Sequence, residues 1–241
     1  MNAADNEIRW DNGDGTEVPH PVLPFSKRFN DHYFSKQDGS AETRHVFLAG
    51  NGLPDRWCGS DHFVISELGF GTGLNFLETW YAWQATRKAE QELLFQSVEA
   101  WPIRAKEAAR ALSAWPHLQP LFEALRDELF DGDGQMIAHQ VPLRLDDQTR
   151  LLCVIGQAES ALEPFAAANA WYLDGFSPDR NADMWSQQLM QKVACKTVAA
   201  GTVASYTAAG WVRRNLQSAG FTIEKRPGFG RKRDMISGIK T

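Results

Sequence analysis

Apolar positions in this chain fall in short runs, set apart by polar and by glycine- or proline-rich connections, and the runs alternate between strand and helix character. Residues 62–67, with the β-branched pair Val64 and Ile65, have the continuous apolar character of a strand buried on both faces. A helix is predicted from Leu74 to about residue 88. The run LLFQSV at 93–98 predicts a second strand, ending at Glu99. Two helical segments follow, roughly 103–113 and 118–129. Trp101-Pro102 and Trp115-Pro116 mark their boundaries, because a residue before proline disfavours helix. Segments 136–145 and 149–155, joined by the polar turn Asp146-Asp147-Gln148, predict a hairpin whose second arm is the third core strand. AWYL at 170–173 is the fourth strand, followed by a helix over 185–199 and a fifth strand over 201–206. A helix over 208–219 precedes two closing strands, 221–225 and 234–239.

Alternating strands and helices, closed by two strands with no helix between them, predict an α/β fold with a mostly parallel sheet. The last strand, reached by a short connection, must run antiparallel to its neighbour. The first 60 residues are more polar and turn-rich. Residues 8–10 and the turn Asn12-Gly13-Asp14-Gly15 predict a short hairpin. Pro19, Pro21 and Pro24 keep the next stretch extended, and 41–48 predicts a short helix. The expected organisation is an N-terminal extension over 1–60 and one α/β domain over 61–241.

Chemistry enters at ELGFGTGLN, residues 67–75. A strand runs into a glycine-rich turn and then a helix, the arrangement by which α/β folds bind nucleotides at strand carboxyl ends. The pattern is E-x-G-x-G-x-G, with Leu74 where the third glycine of a dinucleotide fingerprint would stand. It resembles motif I of S-adenosylmethionine (SAM) methyltransferases, and the ammonium of a SAM methionine group can use an acid such as Glu67. A pyrophosphate would instead want aligned N–H groups and no nearby carboxylate. The turn alone leaves SAM, another nucleotide, or a turn that binds nothing. Glu99, 26 residues beyond Gly73, ends the second strand where an acid hydrogen-bonds ribose hydroxyls. Expected cofactor contacts are therefore Glu67, Gly69, Phe70, Gly71, Thr72, Gly73, Asn75 and Glu99. Gln157 stands after the third strand where many SAM enzymes carry an Asp, and its carbonyl can accept the same adenine hydrogen bond. Asp174, at the end of the fourth strand, would contact the cofactor and face the reactive methyl.

Charge narrows the partner class. There are 25 Lys and Arg against 30 Asp and Glu, a net charge of −5, which excludes a broadly basic nucleic-acid binder but allows a local basic patch. PFSKRFNDHYFS, residues 24–35, interleaves Phe25, Phe29, Tyr33 and Phe34 with Lys27 and Arg28. That mixture suits stacking on bases and contact with phosphates, and equally a loop pinned to its domain by aromatics. KRPGFGRKR at 225–233 carries Lys225, Arg226, Arg231, Lys232 and Arg233. The three cysteines and six histidines make no C-x-x-C or H-x-x-x-H spacing, so no metal site is expected, and Cys153 reads as a buried thiol. The turn Asp131-Gly132-Asp133-Gly134 lacks the remaining ligands of a calcium loop. No apolar run reaches membrane-spanning length and the first residues form no signal peptide, so a cytoplasmic enzyme is expected.

Several stretches together resemble one family along nearly the whole chain: PFSKRFNDHYFS, ETRHVFLAGN, ELGFGTGLNFL, WYLDGFSPDRNADMW, TAAGWVRR and SAGFTIEKRPGFGRKRDM. They are similar to the MnmC-type tRNA methyltransferases, found as the N-terminal half of a bifunctional protein or as a stand-alone enzyme, MnmD. Ala182 replaces an expected Pro. The resemblance implies a seven-stranded class I SAM methyltransferase fold. It also implies methyl transfer from SAM to the primary amine of 5-aminomethyl-2-thiouridine at the tRNA wobble position. Asp174 would orient that amine or act as its base. Tyr33, Phe34 and Phe176 would wall the base pocket, and Lys27, Arg28, Arg213, Arg214, Arg231, Lys232 and Arg233 would hold anticodon-loop phosphates. The chain ends at Thr241 without a second glycine motif, and an FAD-dependent oxidase, fused or separate, is the expected partner. A SAM methyltransferase acting on a protein or small-molecule amine, a nicotinamide-dependent oxidoreductase and an inactive RNA-binding module are the rival readings.

Overall fold

The computed structural model describes residues 7–11 and 23–241. The predicted turn at 12–15, with Pro19 and Pro21, lies outside them. In chain order the strands are β1 (Ile8–Asp11), β2 (Leu23–Ser26), β3 (Asp31–His32), β4 (His62–Leu68), β5 (Glu92–Glu99), β6 (Leu143–Asp146), β7 (Thr149–Ile155), β8 (Ala168–Leu173), β9 (Thr197–Ser205), β10 (Phe221–Pro227) and β11 (Asp234–Lys240). The α-helices are α1 (Gly39–Thr43), α2 (Leu74–Thr86), α3 (Ala105–Leu112), α4 (Gln119–Leu129), α5 (Ala158–Ala161), α6 (Gln187–Cys195) and α7 (Gly210–Ser218).

The most apolar strands lie at the centre of the main sheet, whose order is β10-β11-β9-β8-β4-β5-β7-β6. β4 pairs in parallel with both β5 and β8, so the glycine turn that follows it opens at the middle of the sheet's carboxyl edge. β11 lies antiparallel between β9 and β10, as its short connection requires. The sheet has eight strands rather than the expected seven. The first arm of the predicted 136–155 hairpin contributes the extra edge strand β6, which covers only three of the expected residues and pairs antiparallel with β7. A small antiparallel sheet, β1-β2-β3, is formed by the N-terminal segment.

Two expectations shift at their ends. The helix over 185–199 breaks into a short turn at Ala182–Trp185 and α6, which stops at Cys195. Thr197 and Val198 then join β9, where β-branched side chains pack better than in a helix. The helix over 41–48 starts earlier, at Gly39, capped by Asp38, whose side chain accepts from the Ala41 N–H at 3.1 Å. It widens over Arg44–Leu48 and ends at Gly52, whose φ of +68° suits glycine.

Apolar side chains cover both sheet faces. On one lie Phe76, Trp83, Phe95, Leu112 and Phe122, and on the other Trp171, Trp185, Leu189 and Val212. Val46, Phe47, Leu48, Leu53 and Trp57, from the stretch expected as an extension, belong to the first of these cores. Among the described residues no helix is long and apolar enough to cross a membrane.

Polar side chains fasten this N-terminal stretch to the sheet. Asn51 Nδ2 donates to the carbonyls of Phe47 at 2.9 Å and Trp171 at 3.2 Å, and its Oδ1 accepts from Thr202 Oγ1 at 2.6 Å. Arg56 donates to Thr202 Oγ1 and to the carbonyls of Asn51 and Asn169. Asn51 is 1% exposed, so losing it strands buried partners at a cost of about 1–3 kcal/mol. Asn51→Ala should therefore lower the Tm by several degrees in a thermal melt, and a melt unchanged within error would remove Asn51 as the fastening point.

Candidate active site

The carboxyl ends of β4, β5, β7 and β8 open into a cavity of about 1580 Å³. Its floor is the glycine turn. Gly69, Gly71 and Gly73 take φ of +91°, +54° and +81°, values that L side chains rarely adopt. A Cβ on Gly69 would also stand 3.3 Å from the carbonyl oxygen of Asp174. The turn is anchored by the Gly69 and Phe70 N–H groups, both donating to the Val98 carbonyl. Glu99, at the end of β5, holds it from the side. Its Oε2 accepts from the Gly71 N–H at 2.8 Å and its Oε1 from the Trp101 N–H at 2.7 Å. Burial pushes the Glu99 carboxyl up, partly offset by these backbone donors. Each oxygen has taken one donor here and can accept another, which is what a ribose diol offers. Gln157 lies at the cavity wall just before α5.

Asn75, in the first turn of α2, links the strand ends. Its Nδ2 donates to Glu67 Oε1 at 2.9 Å and to Asp174 Oδ2 at 2.8 Å, while its Oδ1 accepts from Thr43 Oγ1 at 2.6 Å. Glu67 Oε2 accepts from Ser97 Oγ at 2.6 Å, and Asp174 Oδ1 from the Gly175 N–H at 2.8 Å. Burial raises the Glu67 carboxyl to about 8 and the Asp174 carboxyl to about 7. At neutral pH Asp174 is thus poised to gain or lose a proton.

Beyond Asp174 the cavity walls become aromatic. Phe176 stacks on Phe29 at 4.5 Å between centroids and meets Tyr33 edge-on at 5.1 Å. Asp31 Oδ2 accepts from the Ser177 N–H at 2.9 Å, and Tyr206 Oη donates to the Gly175 carbonyl at 2.8 Å. Phe34 packs on Trp115. The aromatics of 24–35 therefore pin their segment to the domain and line the cavity with the same rings.

Of the expected cofactor residues, Gly69, Phe70, Gly71, Thr72, Asn75, Glu99, Gln157 and Asp174 line the cavity. Glu67 and Gly73 do not. Glu67 has no exposed surface, because Asn75 and Ser97 cover its carboxyl, so the expected contact with an ammonium is replaced by support through Asn75. Gly73 bends the chain into α2, and a Cβ there would press on the Phe70 ring. Of the expected substrate residues, Tyr33, Phe34, Phe176, Arg231 and Lys232 line the cavity. Lys27 instead pairs with Glu7, and Arg28 lies 3.5 Å over the Trp101 ring. Arg213, Arg214 and Arg233 lie away from the lining, and Arg213 Nε is buried with no partner among the described residues. Sequence reasoning missed Asp31, Glu42, Thr43 and Tyr206. Only Tyr206 carried a signal, its place at the end of the fifth strand. Among the described residues, no three His, Cys, Asp or Glu side chains converge to hold a metal ion.

The glycine cradle, the backbone-capped Glu99 and a cavity of this size fit an adenosyl cofactor. Comparison with known proteins points the same way. A family model described as S-adenosyl-L-methionine-dependent methyltransferase matches residues 118–241. The chain is 42% identical over 220 residues to the tRNA 5-methylaminomethyl-2-thiouridine biosynthesis bifunctional protein MnmC of Maricaulis maris, covering 91% of this chain and 37% of that protein. It is 42% identical over 241 residues to the protein of the same name from Marinobacter nauticus, covering 96% of this chain and 36% of that one. The chain thus spans little more than a third of the length of these relatives. Its fold is similar to that of MNMC2 from Aquifex aeolicus, with a TM-score of 0.72 at 20% identity over 97% of this chain and 70% of that one.

The buried Glu67 has a pH signature. An unfolded Glu ionises near about 4.3, whereas folded Glu67 keeps its proton to about 8. Its contribution to stability is complete at low pH and is lost as pH rises through about 8. Glu67→Gln has no proton to lose. Between mildly acidic and mildly alkaline pH its Tm should fall less than that of the parent; parallel falls would show that Glu67 ionises normally.

Proposed function

The chain belongs to the S-adenosyl-L-methionine-dependent methyltransferase family, and from that membership we propose that it methylates the primary amine of 5-aminomethyl-2-thiouridine at the tRNA wobble position, giving 5-methylaminomethyl-2-thiouridine. The observation that carries the reading is the meeting, in one cavity, of a glycine turn with Glu99 on one side and an aromatic-walled carboxylate, Asp174, on the other. The name shared by relatives 42% identical over nine-tenths of the chain supplies the nucleoside.

The glycine turn, where the backbone comes close to the ligand, and Gln157 would hold the methionine and adenine ends of SAM, and Glu99 the ribose hydroxyls. When bound, SAM supplies a methyl group already activated on a sulfonium. The protein's part is orientation. Phe29, Tyr33 and Phe176 stack the wobble base once it leaves the anticodon loop. Asp174 accepts a hydrogen bond from the amine and fixes the direction of its lone pair. With its carboxyl raised to about 7, Asp174 can also hold the proton released as the secondary amine forms. A carboxylate beside an ammonium favours the charged amine, so orientation is the larger part of its role. Arg231, together with Arg213, Arg214 and Arg233, offers cations to the anticodon-loop phosphates, aided by Lys27 and Arg28. An FAD-dependent oxidase acting on the same nucleoside, fused or separate, is the natural partner, and the cytoplasm, where tRNA resides, the natural location.

The test is methyl transfer from labelled SAM to tRNA with and without the wobble aminomethyl group. Transfer should require the amine; transfer independent of it would overturn the proposal. Asp174→Asn should lose about 10²–10⁴-fold in kcat while SAM affinity changes only severalfold. In the parent enzyme kcat should fall as pH drops through about 7, because Asp174 then carries a proton. Glu99→Gln should chiefly weaken SAM binding in a titration.

A further inference from the structure

Three consecutive basic residues, Arg231-Lys232-Arg233, form the tip of the β10–β11 loop, yet the middle one has a partner inside the cavity. Lys232 Nζ lies 2.8 Å from Glu42 Oε1 and 3.9 Å from the centre of the Tyr206 ring. Glu42 comes from α1, is 7% exposed and accepts the Ser35 N–H on its other oxygen at 2.9 Å. The same loop meets the N-terminal segment at three further points. His45 Nε2 is 2.9 Å from the Pro227 carbonyl oxygen. The His45 and Phe229 rings are 6.0 Å apart. Gly230 abuts Gln37 so closely that a Cβ would overlap its side-chain oxygen. Glu42, Phe229, Gly230, Lys232 and Tyr206 all line the cavity.

We propose that Glu42 and Lys232 are a positioning pair that latches the β10–β11 loop to the N-terminal segment and so fixes the wall of the pocket that delivers the acceptor amine to Asp174. The inference rests on the amine-transfer reading above. It takes Lys232 out of the phosphate-binding set and leaves that role to its neighbours. An exposed ion pair contributes little to stability, and with Lys232 44% exposed this one is not chiefly a stabilising contact. Its consequence is geometric, because a displacement of about 1 Å in a reacting group can cost roughly a hundredfold in rate.

The pair is also electrostatically opposed at Asp174. Facing that carboxyl are the Asn75 amide from α2, the Gly175 N–H, Glu67 from β4, Tyr206 beyond β9, Glu42 from α1 and Lys232 from the loop, with Asp31 acting on Tyr206. Glu42 raises the Asp174 pKa and Lys232 lowers it. Lys232→Met leaves Glu42 unbalanced and should move the acid limb of the kcat profile upward. Glu42→Gln leaves Lys232 unbalanced and should move it downward. Opposite shifts would show that both charges act at Asp174, as members of the pocket wall must.

The experiment measures kcat, KM and the pH profile with amine-bearing tRNA for Lys232→Met, Glu42→Gln, their combination and Lys232→Arg, with SAM titration as the check on folding. Each single variant should lose about tenfold or more in kcat/KM at unchanged SAM affinity. The combination should be no worse than the poorer single, and Lys232→Arg should recover most of the activity. Additive losses, limbs that move together, or no recovery with Arg would overturn the pair. If the parent enzyme transfers no methyl to the amine, the functional reading fails and the pair with it. If the parent transfers and the variants match it, the pair alone fails.

Discussion

One amide holds the site together. Two carboxyl groups, the buried Glu67 and the half-buried Asp174, lie within reach of a single Asn75 Nδ2, and both accept from it. Its orientation is not free. Thr43 Oγ1 donates to Asn75 Oδ1, and reversing the amide would set an oxygen against both carboxyls. α1, α2, β4 and β8 therefore converge on one hydrogen-bonded centre. Burying charge without partners is expensive, and here the cost is met by Asn75, Ser97 and the Gly175 N–H together with retained protons. A carboxyl held near 7 follows directly from that arrangement.

The two halves of the cavity extend from this centre. On one side lies the left-handed glycine turn, its Gly69 and Phe70 N–H groups anchored on the Val98 carbonyl and its Gly71 N–H fixed by Glu99. On the other side Asp174 opens toward the Phe29–Phe176–Tyr33 rings and the latch of Glu42 with Lys232. The N-terminal segment supplies Phe29, Asp31, Tyr33, Glu42 and Thr43 to this second half, and its aliphatic and aromatic residues 46–57 are buried in the main core. This half of the cavity thus depends on a stretch whose composition resembles a surface extension.

Much of this was legible in the chain, for physical reasons that differ by residue. The glycine turn and the acid ending β5 could be found because their spacing follows from strand–turn–helix geometry. The antiparallel last strand followed from its short connection. Glu67 was recognised as part of the motif, but spacing carries no information on depth, and the structure sets it behind Asn75 rather than at the cavity. Lys232 was read as a phosphate contact because its neighbours are basic. Its partner Glu42 lies 190 residues away, beyond any local pattern. Asp31 and Thr43 likewise acquire roles only through tertiary contacts. The end of the sixth helix was misread because an apolar run of Val, Ala and Thr suits a helix or a strand until a sheet neighbour decides.

The most direct measurement replaces the shared donor with a side chain of similar size, Asn75→Leu. The titration of SAM and the single-turnover methyl transfer are then followed on the folded variant. If one amide supports both halves of the cavity, SAM affinity and transfer rate should each fall by about tenfold or more. A folded Asn75→Leu protein that binds SAM and transfers methyl as the parent does would contradict the account.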